Sequence, residues 1–184
     1  MKRVFLMTLM TVLLLTGCGA AKQGSQDFTH WQQTLSAASE ICFSAQITGE
    51  WSEGTTSFSA DVIRTGEATE VTVTAPETIA GITVRSAGRG GALEYDGVIL
   101  ELAPNVPDAI SPCAAGSILL DALTRGNLIY SGTASDHLTA AIAAPGGETV
   151  TVWRTEDNIP VYAEIARGET TELVLTLEGW EVTE

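Results

Sequence analysis

Apolar and polar residues alternate with a period of two along most of the chain, and this pattern predicts antiparallel β-strands with one covered face. The first stretch runs from Ile41 to Ile47, and the alternation recurs over residues 57–62 and 70–75. Asp96-Gly97 lies between two apolar runs and supplies the positive φ that a two-residue type I′ hairpin requires. Further strands are predicted over residues 128–131, 138–144, 149–154, 161–167 and 172–177.

Two segments have the spacing of helices instead. Residues 27–38 place Phe28, Trp31 and Leu35 on one face, with Asp27 as the expected N-cap. Residues 111–125 begin with Ser-Pro, the order of a cap and a first-turn proline, and stop before a glycine. The pattern therefore predicts an α+β fold that is mainly β, with about ten strands packed on two helices.

The first residues have the pattern of an export signal. Lys2 and Arg3 precede an apolar run over residues 4–15, which is shorter than the about 20 residues that a membrane-spanning helix needs. Cys18 follows Leu-Thr-Gly, and this sequence resembles the lipobox of bacterial lipoproteins, whose cysteine receives a diacylglycerol and becomes the new N-terminus. The resemblance implies a signal peptide over residues 1–17 and lipidation of Cys18. The alternative is an ordinary secretory leader with a chance cysteine.

The rest of the chain is expected to be one unit. Residues 18–26 are predicted to be a flexible tether between the lipid and the body. No Pro- or Ser-rich linker and no internal repeat divides residues 27–184, which predicts a single domain.

The order of these elements resembles the LolA/LolB-like domains of bacterial lipoprotein carriers. The resemblance is carried by residues 71–82, residues 93–97, Trp153-Arg154 and residues 157–161. It implies an incomplete barrel, in which a curled antiparallel sheet packs on helices and leaves an apolar hollow for acyl chains. The same resemblance implies a lipid-anchored protein on the extracytoplasmic face of the cell membrane with a lipid-like ligand.

Residues on the inner parity of the strands and on the apolar face of the second helix are expected to line this hollow. Only two helices are available to cover about ten strands, so part of the concave face is expected to stay open. Aliphatic and aromatic side chains there suit an apolar ligand. The alternative is that they pack on one another and fill the core. The expected lining residues are Phe43, Ile47, Phe58, Val62, Val73, Val84, Leu119 and Leu123.

The charge balance excludes whole classes of partner. The 184 residues include 9 Lys+Arg and 23 Asp+Glu, a formal net charge of −14 at pH 7. Such a chain cannot neutralise nucleic-acid phosphates, and no basic cluster attracts it to anionic lipid headgroups. A hydrophobic content of 45% is too high for a disordered chain and sufficient for a core. We expect membrane contact through the N-terminal lipid and no nucleic-acid partner.

The sequence predicts no catalytic site, no metal site and no cofactor. Serine hydrolase motifs such as Gly-x-Ser-x-Gly and Ser-x-x-Lys are missing, and His30 and His137 are too far apart to match a metal-ligand spacing. Residues 88–91 lack the Lys-Ser/Thr of a phosphate-binding loop. Acidic pairs such as Glu178 and Glu181 are interpreted as solvated surface at strand ends rather than as a glycosidase pair.

Two further pairs of residues have more than one interpretation. Cys42 and Cys113 are interpreted as two small buried side chains, with a disulfide bond or a reactive thiol as the alternatives. Trp153 and Tyr162 have the parity opposite to that of the valines beside them, so they are predicted on the outer face. There they are either packed under a covering layer or exposed to a partner.

These observations predict a membrane-anchored, non-enzymatic envelope lipoprotein that binds or carries an apolar ligand. The alternative is a protein-interaction or sensory module of the envelope with a filled core. The two hypotheses differ in whether the concave face of the sheet offers space for a ligand.

Overall fold

The structure, a computed structural model, describes residues 19–51, 54–87, 90–102 and 112–184. These ranges contain two α-helices, which are α1 (Gly19–Ala37) and α2 (Ala115–Arg125), with a 3₁₀ turn over Pro112–Ala114 before α2. None of the helices described is long and apolar enough to cross a membrane. The strands are β1 (Glu40–Trp51), β2 (Gly54–Thr65), β3 (Ala68–Ala75), β4 (Thr83–Ala87), β5 (Gly90–Tyr95), β6 (Val98–Leu102), β7 (Asn127–Ala134), β8 (His137–Ala143), β9 (Thr149–Arg154), β10 (Pro160–Arg167) and β11 (Thr170–Thr183).

The eleven strands form one sheet in the order β6-β5-β4-β3-β2-β1-β11-β10-β9-β8-β7. Every pairing between neighbours is antiparallel. Strands β1–β6 and β7–β11 are therefore two meanders, and the pairing of β1 with β11 joins them. Strands β6 and β7 lie at opposite edges of the sheet, so the barrel is incomplete.

The sheet curls around α2. This helix contacts β3 on one side and β8, β9 and β10 on the other. In a flat sheet of this order β3 and β8 would be separated by six strand spacings, about 29 Å, whereas a helix with its side chains is only about 10–12 Å wide. Helix α1 packs against α2 and β7. The predicted fold class, a curled antiparallel sheet packed on two helices, is confirmed.

The predicted alternation of burial is also observed. In β1, Phe43 and Ile47 are buried while the residues between them include exposed Ser44 and Gln46. Helix α1 buries Phe28, Trp31 and Leu35, the three residues that the helical spacing placed on one face. The Asp96-Gly97 turn has φ values of 48° and 77° at its two central residues, as a type I′ turn requires.

Three local predictions need correction. Helix α1 begins at Gly19 rather than at Asp27, because Ala, Lys and Gln in residues 20–23 favour helix; this part of the expected flexible tether is helical. Strand β4 was not predicted because its five residues contain one buried valine, too few to show an alternation. Helix α2 begins at Ala115 after the 3₁₀ turn, and Ser111, its expected cap, lies outside the described residues.

Candidate functional site

The eight residues expected to line a hollow all lie in the interior between the sheet and α2. Six belong to strands β1–β4, and Leu119 and Leu123 belong to α2. None of the eight is more than 6% exposed. All of them except Val84 belong to one continuous core cluster. The structure thus brings the predicted set together as buried surface, and its contact with a ligand stays a prediction.

A row of apolar side chains crosses the concave face from β1 to the edge strand β6. Its members are directly opposite one another in the strand register, so they share one face of the sheet. Exposure rises along the row from 0% in β2 and β3 to 6% in β4, and then to 56% in β6. The row therefore leads from the closed core to solvent. This apolar row consists of Phe43, Val62, Val71, Val84, Leu93 and Leu100.

A separate cavity of about 290 Å³ lies beside the end of α1. Leu35 and Ile41 form its apolar wall, and Arg64, Glu67 and Arg125 contribute polar groups. Its volume is at the lower end of the range of about 300–1,000 Å³ that small-molecule sites occupy. The eight expected lining residues are not among the residues around it, so it is distinct from the predicted hollow.

A buried arginine that the sequence pattern did not single out lies on the concave face. Arg154 is the last residue of β9, shares the parity of Val150 and Val152, and is 4% exposed. Its Cζ atom lies 4.7 Å from the centre of the Trp31 ring of α1. Burial lowers the pKa of Arg154, and the nearby carboxylate of Asp27 opposes this shift. In the sequence, Arg154 follows Val150 and Val152 at intervals of two residues, and this spacing was the signal that could have revealed its burial.

The hydrogen bonds of Arg154 differ from those of the other buried arginine. Arg64 donates from Nη1 to Asp121 Oδ1 at 2.8 Å and from Nε to the Gly66 carbonyl at 3.0 Å. In Arg154, Nε and Nη1 have no acceptor, and Oδ1 of Asn158 has no donor. Among the residues that the structure describes, these are the only buried side-chain nitrogen and oxygen atoms without a partner. Unused hydrogen-bonding capacity is therefore concentrated at residues 154–158.

Trp153 and Tyr162 form an aromatic pair on the outer face, as their parity predicted. The ring centres are 5.1 Å apart and the rings meet edge to face at 68°. Both side chains are half-buried. The Tyr162 hydroxyl donates to Glu164 Oε1 at 3.2 Å, and burial, followed by the Glu164 charge, raises the pKa of Tyr162. The two rings thus cover each other in part.

Cys42 and Cys113 do not form a disulfide bond. Both Cys42 and Cys113 are half-buried, and Cys42 carries a free thiol, so no disulfide joins the two. Burial, followed by the charges of Glu181 and Glu40, raises the pKa of the Cys42 thiol, which disfavours the reactive thiolate. Within the described ranges, no group of three or more His, Cys, Asp or Glu side chains is arranged to hold a metal ion. Cys18 lies outside those ranges, and its lipidation stays a prediction.

Comparison with known proteins identifies similar solved structures. No protein-family model matches the sequence, and no curated protein matches it. The chain is similar to a LolA superfamily protein from Nitrosomonas europaea, with 12% identity, a TM-score of 0.48, and coverage of 88% of this chain and 94% of that chain. It is also similar to a DUF1329 family protein from Desulfovibrio piger, with 10% identity, a TM-score of 0.49, and coverage of 89% and 93%.

A third similar structure is the lipoprotein LppX from Mycobacterium tuberculosis. Its identity is 18% and its TM-score 0.42, with coverage of 84% of this chain and 93% of that chain.

Proposed function

We propose that the protein is a lipoprotein anchored through Cys18 to the extracytoplasmic face of the cell membrane, and that it binds a lipid-like ligand without catalysing a reaction. The lipobox-like Leu-Thr-Gly-Cys and the export signal before it support the anchor. One observation carries the binding proposal, namely the apolar row that runs from the core to the open edge strand.

The shape and chemistry of the apolar row suit an acyl chain. On this side of the sheet α2 contacts β2 and β3, and Ser117 of α2 forms a hydrogen bond of 2.8 Å with Ser86 of β4. Farther along the row, Leu93 of β5 is only half-buried and Leu100 of β6 is 56% exposed. An acyl chain that lies along these side chains removes apolar surface of both the protein and the ligand from water. This burial contributes about 25 cal/mol of binding free energy per Å². A long, narrow ligand without polar groups along its length therefore fits this face.

The buried end of the apolar row sets how far such a ligand can reach. A Cβ atom built on Gly116 of α2 would lie 2.9 Å from Cγ2 of Val62 and 3.2 Å from Cγ2 of Val71. The helix backbone thus rests directly on the row at this point. A ligand chain covers Leu100 and Leu93 without rearrangement, and it passes Val84 only if α2 moves away from the sheet.

Lipid titration tests the proposal. The mature chain from residue 18, carrying Cys18→Ser, retains every described residue and is titrated with a fluorescent fatty acid. Leu93→Asn places an amide between Val84 and Leu100 in the apolar row and is expected to weaken binding about 10- to 100-fold, because a buried leucine side chain contributes about 1.5–3 kcal/mol. Leu128→Asn makes the same change at another half-buried position, on β7, and should leave the affinity unchanged.

Two results would contradict the proposal. One is the lack of saturable binding to fatty acids, phospholipids and neutral lipids alike. The other is an equal loss of affinity in the Leu93→Asn and Leu128→Asn variants, since the effect would then reflect general destabilisation. Thermal melts of both variants show whether the fold is retained.

A second function, docking of a protein partner, is favoured by the exposed apolar side chains of the edge strand β6. Val98, Ile99 and Leu100 are 59%, 63% and 56% exposed, and an edge strand offers unpaired backbone groups to another strand. Ile99 faces away from the apolar row because neighbouring strand residues alternate. Ile99→Asn should therefore weaken partner binding alone, whereas Leu93→Asn should weaken lipid binding alone.

A further inference from the structure

Arg154 is a buried cation that the described part of the chain does not neutralise by an ion pair. Its guanidinium keeps its charge at physiological pH, and a buried charge is costly unless it is paired. No carboxylate of the described residues lies within 4.0 Å of it, although Arg64, Arg85, Arg125 and Arg167 all have such a partner. Its Nε and Nη1 are buried and have no acceptor.

The contact with Trp31 leaves these hydrogen-bond donors unused. The guanidinium Cζ lies over the indole ring, and this cation–π attraction is worth less than an ion pair with two hydrogen bonds. An oxyanion placed at the edge of the guanidinium would satisfy these donors and would keep the aromatic contact.

Arg64 shows what the chain does with an arginine that has a purely structural role. It is 6% exposed, similar to the 4% of Arg154, yet its side chain has a carboxylate and a carbonyl as acceptors. The difference lies in the partners rather than in burial. The unused donors of Arg154 therefore indicate an acceptor that the described residues do not supply.

We propose that Arg154 binds the ionised acid head of the lipid-like ligand, a carboxylate or phosphate whose oxygens accept hydrogen bonds from Nε and Nη1. This inference rests on the proposed function and adds the chemical class of ligand, an anionic amphiphile rather than a neutral lipid. Helix α2 contacts both β3, which carries part of the apolar row, and β9, which carries Arg154. A ligand that enters along Leu100 and Leu93 reaches Arg154 only when α2 moves away from the sheet, and it then has the apolar row on one side of α2 and the cation on the other.

The net charge of the chain favours an amphiphile over a free anion. At −14 the protein repels small anions from its surface. An acid head that is attached to an apolar tail reaches Arg154 because burial of the tail supplies the driving force.

The first test compares two ligands on the unmodified binding site. The mature chain carrying Cys18→Ser is titrated with a fluorescent fatty acid and with the methyl ester of the same acid. Charge-assisted hydrogen bonds contribute about 1.5–3 kcal/mol, so the acid is expected to bind about 10- to 100-fold more tightly than the ester. A lipid phosphate monoester is expected to bind like the acid.

The second test changes the cation. Arg154→Met preserves side-chain volume and removes the charge, and it should reduce the affinity for the acid to that for the ester without affecting the ester. Arg85→Met is the matched control, because Arg85 is exposed and paired with Glu70 and Glu94; it should keep the preference for the acid. Asp27→Asn removes the negative charge that opposes the lowered pKa of Arg154 and should strengthen binding of the acid.

The outcomes separate this inference from the proposed function. Equal binding of acid and ester to the unmodified site overturns the role of Arg154 and leaves lipid binding intact, and this comparison holds even if Arg154→Met fails to fold. The absence of binding by any lipid overturns both proposals. Competition by acetate or inorganic phosphate at the concentration of the fatty acid would make the site a free-anion site and would also overturn the inference.

Discussion

The ion pair between Arg64 and Asp121 is the main polar contact between β2 and α2. Arg64 Nη1 lies 2.8 Å from Asp121 Oδ1, and the same oxygen accepts from Arg125 Nη2 at 2.6 Å. The Arg64 side chain is 7% exposed and that of Asp121 is 32% exposed. The Asp121 carboxylate thus forms ion pairs with two cations at the boundary of the core.

Removal of this carboxylate should destabilise the protein. Asp121→Asn leaves the buried Arg64 without its counter-charge, and we expect the free energy of unfolding to fall by about 2–3 kcal/mol, less than for a fully buried pair because Asp121 is partly exposed. Chemical denaturation measures the change. Glu94→Gln, which affects only the exposed pair with Arg85, should cost less than about 1 kcal/mol. Equal losses in the two variants would contradict this account.

Arg154 shows what a single sequence leaves undecided at the residue scale. The buried face of β9 could be predicted because Val150 and Val152 alternate with polar residues. Arginine is nevertheless rarely buried, so composition favours the outer face. Its burial depends on Trp31, which belongs to a helix far away in sequence, and no local pattern reports such a contact.

The end of α2 packs so closely against β8 that the residue there has no room for a side chain. Gly126 ends α2 with φ −74° and ψ 165°, values open to any residue. An added Cβ would lie 2.5 Å from both the Ala122 carbonyl oxygen and Cγ2 of Ile142. Glycine is required here because the helix end approaches the sheet closely.

Gly126→Ala should therefore destabilise the protein by about 1–3 kcal/mol, the usual cost of overpacking a core. Gly146→Ala is the matched control, because the three atoms nearest to its added Cβ all belong to the Glu148 side chain, whereas the Cβ on Gly126 meets backbone oxygens. Thermal and chemical denaturation of both variants provide the comparison. A Gly126→Ala variant as stable as the original protein would show that the helix end shifts without cost.

Elements with a strong local pattern could be predicted, and elements that depend on distant contacts could not. The inner residues of β1 and β2 alternate regularly, so their buried face was correct. Strand β4 is short and acquires its place from pairing with β3 and β5. Likewise the apolar row emerges only from the register of six strands, which no single stretch of sequence specifies.

At the scale of the whole molecule, the acidic body makes the lipid the expected source of membrane attachment. The whole chain has a net charge of −14 and none of its acidic residues precedes Asp27, so the body is repelled by anionic headgroups. Cys18→Ala should therefore move the protein from the membrane fraction to the soluble fraction, or leave it as an uncleaved precursor. Cell fractionation with a radiolabelled lipid precursor measures both effects. Lipid labelling and membrane partition equal to those of the unmodified protein would show that Cys18 is not the anchor.

The single pairing of β1 with β11 has a consequence for how the chain folds. Each meander assembles from hairpins between neighbours in sequence, which close quickly because their loops are short. The two halves join only when Glu40–Trp51 meets Thr170–Thr183, and β11 is synthesised after the ten other strands. Until then, β1 and β11 each present an unprotected inner edge that can pair with another copy. The chain is therefore most vulnerable to aggregation and proteolysis in the interval before β1 pairs with β11.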